Sequence, residues 1–509
     1  MNLSELNPQQ RRAVKTTDGP LLLLAGAGSG KTRVITVRIA YLIEQGVPPA
    51  NILAVTFTNK AAREMKERVA SLLTRKAADK VTTSTFHAFC ARILRARIDR
   101  LGYGRNFDIA PQGYQVGLVR TILGELGLTG ENGMPAPLAS HLIGTAKSRL
   151  VDPAGMKAER ADWRENLPEV YEIYQTRLKT MNMVDFDDLL MLTVRLWEAF
   201  PDILEDYRQQ YPYMLVDEYQ DTNPAQFQLL ALLGGDDGNI CAVGDDDQSI
   251  YGWRGADVRN ILRFEEHFPN AEIIRLEQNY RSTNTILDAA NRVIARNNAR
   301  RGKNLWSQKG EGNPILIVRT EDEKDEGRFL GELIADRRAA NGWQYHDFAV
   351  LYRSNHQSRS LEAALRKARV PYRIVGSKSF YERKEILDAV SMLRAIQNPQ
   401  DDRSLLRILN VPPRGLGDTT VARLREVGTI AGKPLQEALL DNDFISNLPA
   451  DTQTAVRQFA ACIQRHRERL SGPSRESLAQ TVRDFLEDIG YLPGLGRIYK
   501  PQEDALRRY

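Results

Sequence analysis

The chain has 509 residues, 42% hydrophobic and 27% charged, with 70 Lys+Arg against 65 Asp+Glu for a net charge of +5. That length allows about three to four domains at roughly 150 residues each, and the small positive excess permits a nucleic-acid partner without demanding one. No run of 18 apolar residues occurs, which argues against a membrane-spanning helix, and the polar residues 1–10 lack the apolar stretch of a signal peptide.

Cys90, Cys241 and Cys462 are odd in number and widely spaced. They read as buried or free thiols in a reducing compartment such as the cytosol, and not as a disulfide or zinc framework.

Six short apolar runs predict buried parallel strands, at 21–25, 52–56, 81–85, 214–216, 240–243 and 273–276. Between them lie helical patterns. The run 59–69 sets Ala62, Met65 and Val69 on one face and Glu64 four residues before Arg68. Alternating strand and helix predict a doubly wound α/β domain. Residues 110–199 carry helical periodicity and no strand signal, which predicts a helical insertion in residues 1–109 and 200–280. A second α/β pattern over 281–385, with strands at 315–318, 348–352 and 372–375, precedes another helical segment over 386–509. Lys500-Pro501-Gln502-Glu503-Asp504 reads as a helix start cut short at Tyr509, so a truncated chain is expected.

Ala25, Gly26, Ala27, Gly28, Ser29, Gly30, Lys31 and Thr32 join the first strand to a helical segment, the setting of a P-loop. Glycines let backbone N–H groups turn toward phosphate oxygens, and the helix N-terminus adds a positive dipole. Lys31 is expected to reach the β- and γ-phosphates of ATP, and Thr32 to ligate Mg2+. Asp217, ending another strand, suits the same magnesium shell. Glu218 beside it suits a base that orients or deprotonates the attacking water.

Three stretches carry a resemblance: Asp217-Glu218-Tyr219-Gln220-Asp221, Gly244-Asp245-Asp246-Asp247-Gln248-Ser249-Ile250-Tyr251-Gly252-Trp253-Arg254-Gly255-Ala256, and Leu276-Glu277-Gln278-Asn279-Tyr280-Arg281-Ser282. With Leu6-Asn7-Pro8-Gln9-Gln10 they resemble, in order, the motifs of superfamily 1 DNA helicases of the UvrD/Rep/PcrA type. The resemblance implies two RecA-like P-loop domains, each interrupted by a helical insertion. It also implies an ATP-dependent 3′–5′ helicase of DNA repair or replication restart, acting on single-stranded DNA and single-strand/duplex junctions.

By the same resemblance Gln10 would read the adenine edge, Arg33 would join the nucleotide site and Gln248 would sense the γ-phosphate. Tyr280 would stack on adenine, and Arg281 would reach across from the second domain as an arginine finger. DNA contacts would come from Phe57, Thr58, Asn59 and Lys60, from Thr85 and His87, and from Tyr251, Trp253 and Arg254. In the second half they would come from Arg353, Asn355, Gln357 and Arg359, and from the turn of Gly415, Gly417 and Thr420. Aromatic faces suit this task, because stacking on bases reads no sequence. Asp185-Phe186-Asp187-Asp188 also matches and reads as mainly structural.

The family's last two motifs do not occur after Ser282. The expectation is therefore an N-terminal portion with an incomplete second sheet that exposes apolar edge surface. The alternative function is a fragment that binds ATP and DNA without unwinding.

Overall fold

The computed structural model describes residues 3–129, 133–159, 165–235, 238–375, 384–471 and 478–498. The helix start expected at 500–504 lies outside them. Two compact units emerge, Met1–Ile317 and Val318–Tyr509. Residues 281–317, expected to open the second domain, belong to the first unit.

The first unit opens with α1 (Pro8–Lys15), followed by β1 (Leu21–Ala25), α2 (Lys31–Glu44), β2 (Ile52–Thr56), α3 (Asn59–Leu72) and β3 (Thr82–Thr85). β4 (Asp108–Ile109) and β5 (Met183–Val184) are short, and β6 (Tyr213–Val216), β7 (Asn239–Gly244) and β8 (Glu272–Leu276) complete the set. Six strands form one parallel sheet in the order β3-β2-β6-β7-β1-β8. All six expected strands are present, within a residue or so of their predicted ends.

Both faces of this sheet are covered, which is why its strands read as unbroken apolar runs. The period-2 pleat sends alternate residues of one strand into separate cores. Leu22 and Leu24 join Leu53, Val55, Phe86 and Trp197, while Leu21 and Leu23 join Ile52, Val34, Ile35 and Met65.

The insertion is helical as expected, with helices Gln112–Glu125, Ala136–Ser148, Pro153–Ala158 and Leu167–Thr180 around their own core. One expectation is corrected: the region is not free of strand. β5 pairs with β4 because the two ends of the insertion run side by side, Asp108 N–H donating to Asn182 O at 3.1 Å and Ala110 N–H to Val184 O at 2.8 Å.

Beneath this junction lies the buried Lys147 ammonium, 2.5 Å from Asp185 and 2.8 Å from Asp188. Burial alone would depress the Lys147 pKa, but the two carboxylates outweigh it and hold it raised. Asp185 and Asp188 also form the capping box of the helix Phe186–Ala199. The structural reading of this motif therefore holds for its first and last acids.

In the second unit, helices Glu323–Asn341 and Ser358–Lys367 pack through small residues. A Cβ on Gly327 would stand 2.7 Å from that of Ala364, and one on Gly331 would stand 2.9 Å from that of Ala368. The strands expected at 315–318, 348–352 and 372–375 are not formed among the described residues. A strand needs a partner to accept and donate its ladder bonds, and none pairs with these runs among the described residues. From Lys384–Gln397 onward the unit is helical, with a core around Met392, Leu405, Phe444, Phe459 and Phe485.

Candidate nucleotide and nucleic-acid site

A parallel sheet places all its strand C-termini on one rim. β1 ends in the P-loop, β6 in Asp217 and Glu218, β7 in the Asp245–Gln248 loop, and β8 in the Gln278–Arg281 segment. β1 lies between β7 and β8, so these loops flank the phosphate cradle. β2 and β3, on the far side, end in Phe57 and Thr85.

The cradle needs its glycines. Gly28 and Gly30 have φ of +69° and +86°, the left-handed region that L side chains avoid. Gly26 lies under Leu305, whose Cδ2 would be 2.2 Å from an added Cβ. Ser29 Oγ donates to Gly26 O at 2.8 Å and closes the turn. α2 then starts behind Gly30 with no side-chain cap and no acid in its first turn. Its first N–H groups and its positive end thus suit a phosphate. Arg33, expected at this site, pairs with Glu5 at 2.6 Å on the surface.

Lys31 Nζ stands 3.0 Å from Glu218 Oε2. Burial raises the Glu218 pKa, but the Lys31 charge and a 3.0 Å bond from Gln220 Nε2 outweigh it and hold the carboxyl below its usual range. Glu218 itself has φ +54°, an unusual conformation for a residue with a side chain and a common one at functional sites.

Asp217 is buried, makes no ion pair among the described residues, and accepts only Glu218 N–H at 3.0 Å. Burial, helped by Glu218, pushes its pKa up to about 6. Such a carboxylate suits a cation of its own, and Thr32 lies in the first turn of α2, directly after Lys31. The donor set fits Mg2+, which prefers one or two carboxylates beside substrate phosphates.

Gln220 continues the network. Its Oε1 accepts Asp245 N–H at 2.9 Å, and the Asp245 carboxylate accepts from Gln248 Nε2. Lys31, Glu218, Gln220, Asp245 and Gln248 are therefore joined by hydrogen bonds in sequence.

On the other flank, Tyr280 N–H donates to Gly28 O at 2.9 Å and Asn279 Nδ2 to Ala27 O at 2.6 Å. Arg281 was expected to reach over from the second domain. It follows on from β8, the neighbour of β1 in the sheet, and its Cβ lies 2.8 Å from a Cβ placed on Gly28. Tyr280 is 45% exposed, which leaves it surface for stacking. Gln10 is buried. Its Oε1 accepts Asn7 N–H at 3.2 Å and its Nε2 donates to Ser29 O at 2.9 Å, so in this structure its amide braces the P-loop.

Among the expected DNA residues, Thr58 and Thr85 are the N-caps of α3 and of the helix Phe86–Arg97. Phe57 packs edge-on against Phe86 at 5.7 Å. Asn59 and Lys60 are exposed at the start of α3. Trp253 is 68% exposed and lies 6.4 Å from Tyr251, with the Arg254 guanidinium over both rings at 4.5 and 5.3 Å. His87 is stacked at 3.9 Å on Phe186, and burial lowers its pKa to about 4. Its ring is neutral near pH 7 and carries no charge to offer a phosphate.

Phe186, whose motif was expected to be mainly structural, is 52% exposed and stacks on His87. The signal was available: an aromatic among acids that cap a helix has no core to enter.

In the second unit Gln357 Oε1 accepts the N–H groups of Arg353 and Ser354, both at 3.0 Å, leaving Arg353, Asn355 and Arg359 exposed. Gly415 takes φ +75°, Gly417 is exposed, and Thr420 lies half-buried in the helix Asp418–Ala431. Arg414 underpins that turn, donating to the carbonyls of Ile408, Leu409, Pro412 and Ile489. Burial lowers its pKa to about 10.

A family model described as the UvrD/REP helicase N-terminal domain matches residues 6–269, and one described as the UvrD-like helicase C-terminal domain matches 274–468. The expectation of a chain holding only the N-terminal portion is thus not supported, since the C-terminal domain is represented. The chain is 48% identical over 464 residues to the ATP-dependent DNA helicase PcrA of Bacillus subtilis, covering 91% of this chain and 62% of that protein. It is 45% identical over 502 residues to PcrA of Leuconostoc citreum, covering 98% and 66%. Against PcrA of Staphylococcus aureus the identity is 47% over 460 residues, covering 90% and 62%. The chain therefore spans less than two thirds of the length of these relatives. The chain belongs to the UvrD/REP helicase family.

Proposed function

We propose that the chain is an ATP-driven motor that moves 3′ to 5′ on single-stranded DNA and unwinds duplex DNA. One observation carries the reading: the phosphate cradle, the two carboxylates and the exposed aromatic loop lie on one rim, joined by hydrogen bonds from Lys31 to Gln248.

The P-loop backbone and Lys31 bind the phosphates of ATP. Thr32 and Asp217 would hold Mg2+, which when bound spreads the charge of the β- and γ-phosphates. Lys31 now spends its charge on Glu218. When the ammonium turns to phosphate, Glu218 loses the charge that depresses its pKa and becomes a stronger base. It then takes a proton from the attacking water as the water oxygen bonds to the γ-phosphorus and the bond to ADP breaks. Gln248 and Arg281 stabilise the charge of the transferring group, and an arginine so placed contributes roughly 10³–10⁵ in rate.

Trp253 lies five residues after Gln248 in one loop, so a change at the γ-phosphate displaces the surface on which a base stacks. Trp253, Tyr251 and Arg254, with Phe57 and the His87–Phe186 stack, form the single-strand platform in the first unit. The exposed Arg353, Asn355 and Arg359 and the Gly415–Gly417 turn form backbone contacts in the second.

ATP hydrolysis with and without single-stranded oligonucleotide tests the reading, followed by strand displacement on duplexes with 3′ or 5′ tails. DNA-stimulated hydrolysis lost in Lys31→Ala, with unwinding only from 3′ tails, is the expected result. Absence of DNA stimulation in the unsubstituted chain would sink it. A second reading, ATP and DNA binding without unwinding, is favoured by the exposed Ile317 and Leu351 in two apolar runs that form no strand. DNA-stimulated hydrolysis without strand displacement would select it.

A further inference from the structure

Asp245, Asp246 and Asp247 set one carboxylate oxygen each within 4.8 Å of the others, a spacing that could hold a metal ion. The position is already filled by a side chain. Lys303 Nζ lies 2.7 Å from Asp245 Oδ1, 2.6 Å from Asp246 Oδ1 and 2.7 Å from Asp247 Oδ2, and only 2% of its side chain is exposed. An ammonium donates three hydrogen bonds, and here each goes to a different carboxylate. Burial alone would lower the Lys303 pKa, but the three acids outweigh it and hold it raised. Arg300 adds a two-pronged pair to Asp247 at 2.9 and 2.8 Å, and Arg301 N–H donates to Asp246 Oδ2 at 2.7 Å.

The residues on either side of this cation matter more than its charge. Asp245 gives one oxygen to Lys303 and the other to Gln248 Nε2, and its own N–H is held by Gln220. The chain just after Lys303 lies against the opposite flank of the phosphate cradle. Asn304 N–H donates to Glu277 Oε1 at 2.9 Å, Leu305 covers Gly26, and Trp306 exchanges backbone bonds with Glu277 and Asn279, at 3.2 and 2.7 Å. Arg281 follows two residues after Asn279. Lys303 therefore stands where the loop of the γ-phosphate sensor meets the segment that supports the arginine.

We infer that Lys303 is a positioning residue for ATP hydrolysis: its buried ammonium fixes the Asp245–Gln248 loop and ties it to the 304–306 segment that carries Arg281 over the P-loop. Without that charge the buried Asp245 and Asp246 face each other and the half-buried Asp247, with Arg300 left to pair Asp247 alone. Like charges at that distance repel, and the loop relaxes by taking up a proton or moving apart. The P-loop touches the 279–280 and 305 segment on one side but is also held by its own Ser29–Gly26 turn and by Gln10, so the cradle itself keeps its shape. Loss of Lys303 should therefore act on turnover and spare nucleotide binding. The inference rests on the motor reading above for its kinetic test only.

The experiment compares the full chain with Lys303→Met, Lys303→Arg, Gln248→Ala and the Lys303→Met/Gln248→Ala pair. DNA-stimulated kcat should fall about 10- to 100-fold in Lys303→Met while KM for ATP changes less than about threefold, and Lys303→Arg should recover part of the loss. In the Gln248→Ala background, Lys303→Met should cost less than about threefold more, because the two act through one carboxylate. Full multiplication of the two losses, or an unchanged kcat in a folded Lys303→Met chain, overturns the inference.

Lys303→Met/Asp246→Asn removes a carboxylate together with the cation and takes the place of a single variant that does not fold. If the unsubstituted chain hydrolyses no ATP, the motor reading falls, yet hydrogen exchange still decides the role of Lys303. Faster exchange across 245–249 in Lys303→Met, with 214–217 still protected, supports it. Equal protection of both segments overturns it.

Discussion

Two stretches of this chain carry the same kind of apolar run and end differently. In residues 21–276 every such run became a strand, and Leu22 and Leu23 are fully buried. In residues 315–375 none did, and Ile317 and Leu351 are 91% and 90% exposed. Intrinsic preference for strand is similar in both, so preference is not what separates them. A strand gains its stability from cross-strand partners and from the layers that cover it. The first region has helices on both faces and a neighbour for each strand; in the second the two helices pack on each other through Gly327 and Gly331.

The sharpest way to break this comparison is to strike the chemistry that only the first region carries. Glu218→Gln should lower DNA-stimulated kcat by about 10²–10⁴ while leaving nucleotide affinity close to unchanged, because it removes the base and keeps the shape. Retention of full turnover would move the base elsewhere.

Next in size is Lys147→Met, which leaves Asp185 and Asp188 buried without a cation and should cost about 3–5 kcal/mol. Calorimetry should show the transition of the first unit shifting downward and that of the second staying in place. If both move together, the two units do not melt independently.

Leu23→Ala in β1 should cost about 2–5 kcal/mol by leaving a cavity between sheet and helix.

A pH series sharpens the site itself. The Asp217 pKa is raised from 3.8 to about 6. The folded state thus keeps a proton that the unfolded chain has lost in this window, so this group's contribution to stability fades as pH rises through it. Binding of Mg2+ with nucleotide runs the opposite way, since it needs the ionised carboxylate. Magnesium-dependent ATP affinity should fall as pH drops below about 6, and Asp217→Asn should flatten that dependence. Titration calorimetry at several pH values would check it.

The smallest effect belongs to Ile317→Ala, expected to change stability by less than about 0.5 kcal/mol because the side chain touches little. A cost comparable to that of Leu23→Ala would show that this run is paired in solution and that the contrast drawn above is false.

Much of this was legible beforehand, and for identifiable reasons. The P-loop was readable because phosphate binding demands small residues, a lysine and a helix start in a fixed local order. Strands at 21–25 and 52–56 were readable to the residue because burial on both faces leaves no polar position to blur the ends. Asp217 and Glu218 stood out as acids ending such a strand.

Other features depended on residues far apart in the chain. The hold of Lys303 on three aspartates spans more than fifty residues and leaves no periodic trace. The neutrality of His87 comes from its burial against Phe186, about a hundred residues away. Arg281 was identified as a residue, but its approach to Gly28 was decided by β8 pairing with β1. The missing ladder at 315–375 belongs to the same class. The sequence by itself determined the local chemistry: which residues can cradle a phosphate, cap a helix or fill a core. Only the tertiary structure decided which strands found partners and which charges met. Those outcomes depend on contacts between distant segments, whose energies no local pattern contains.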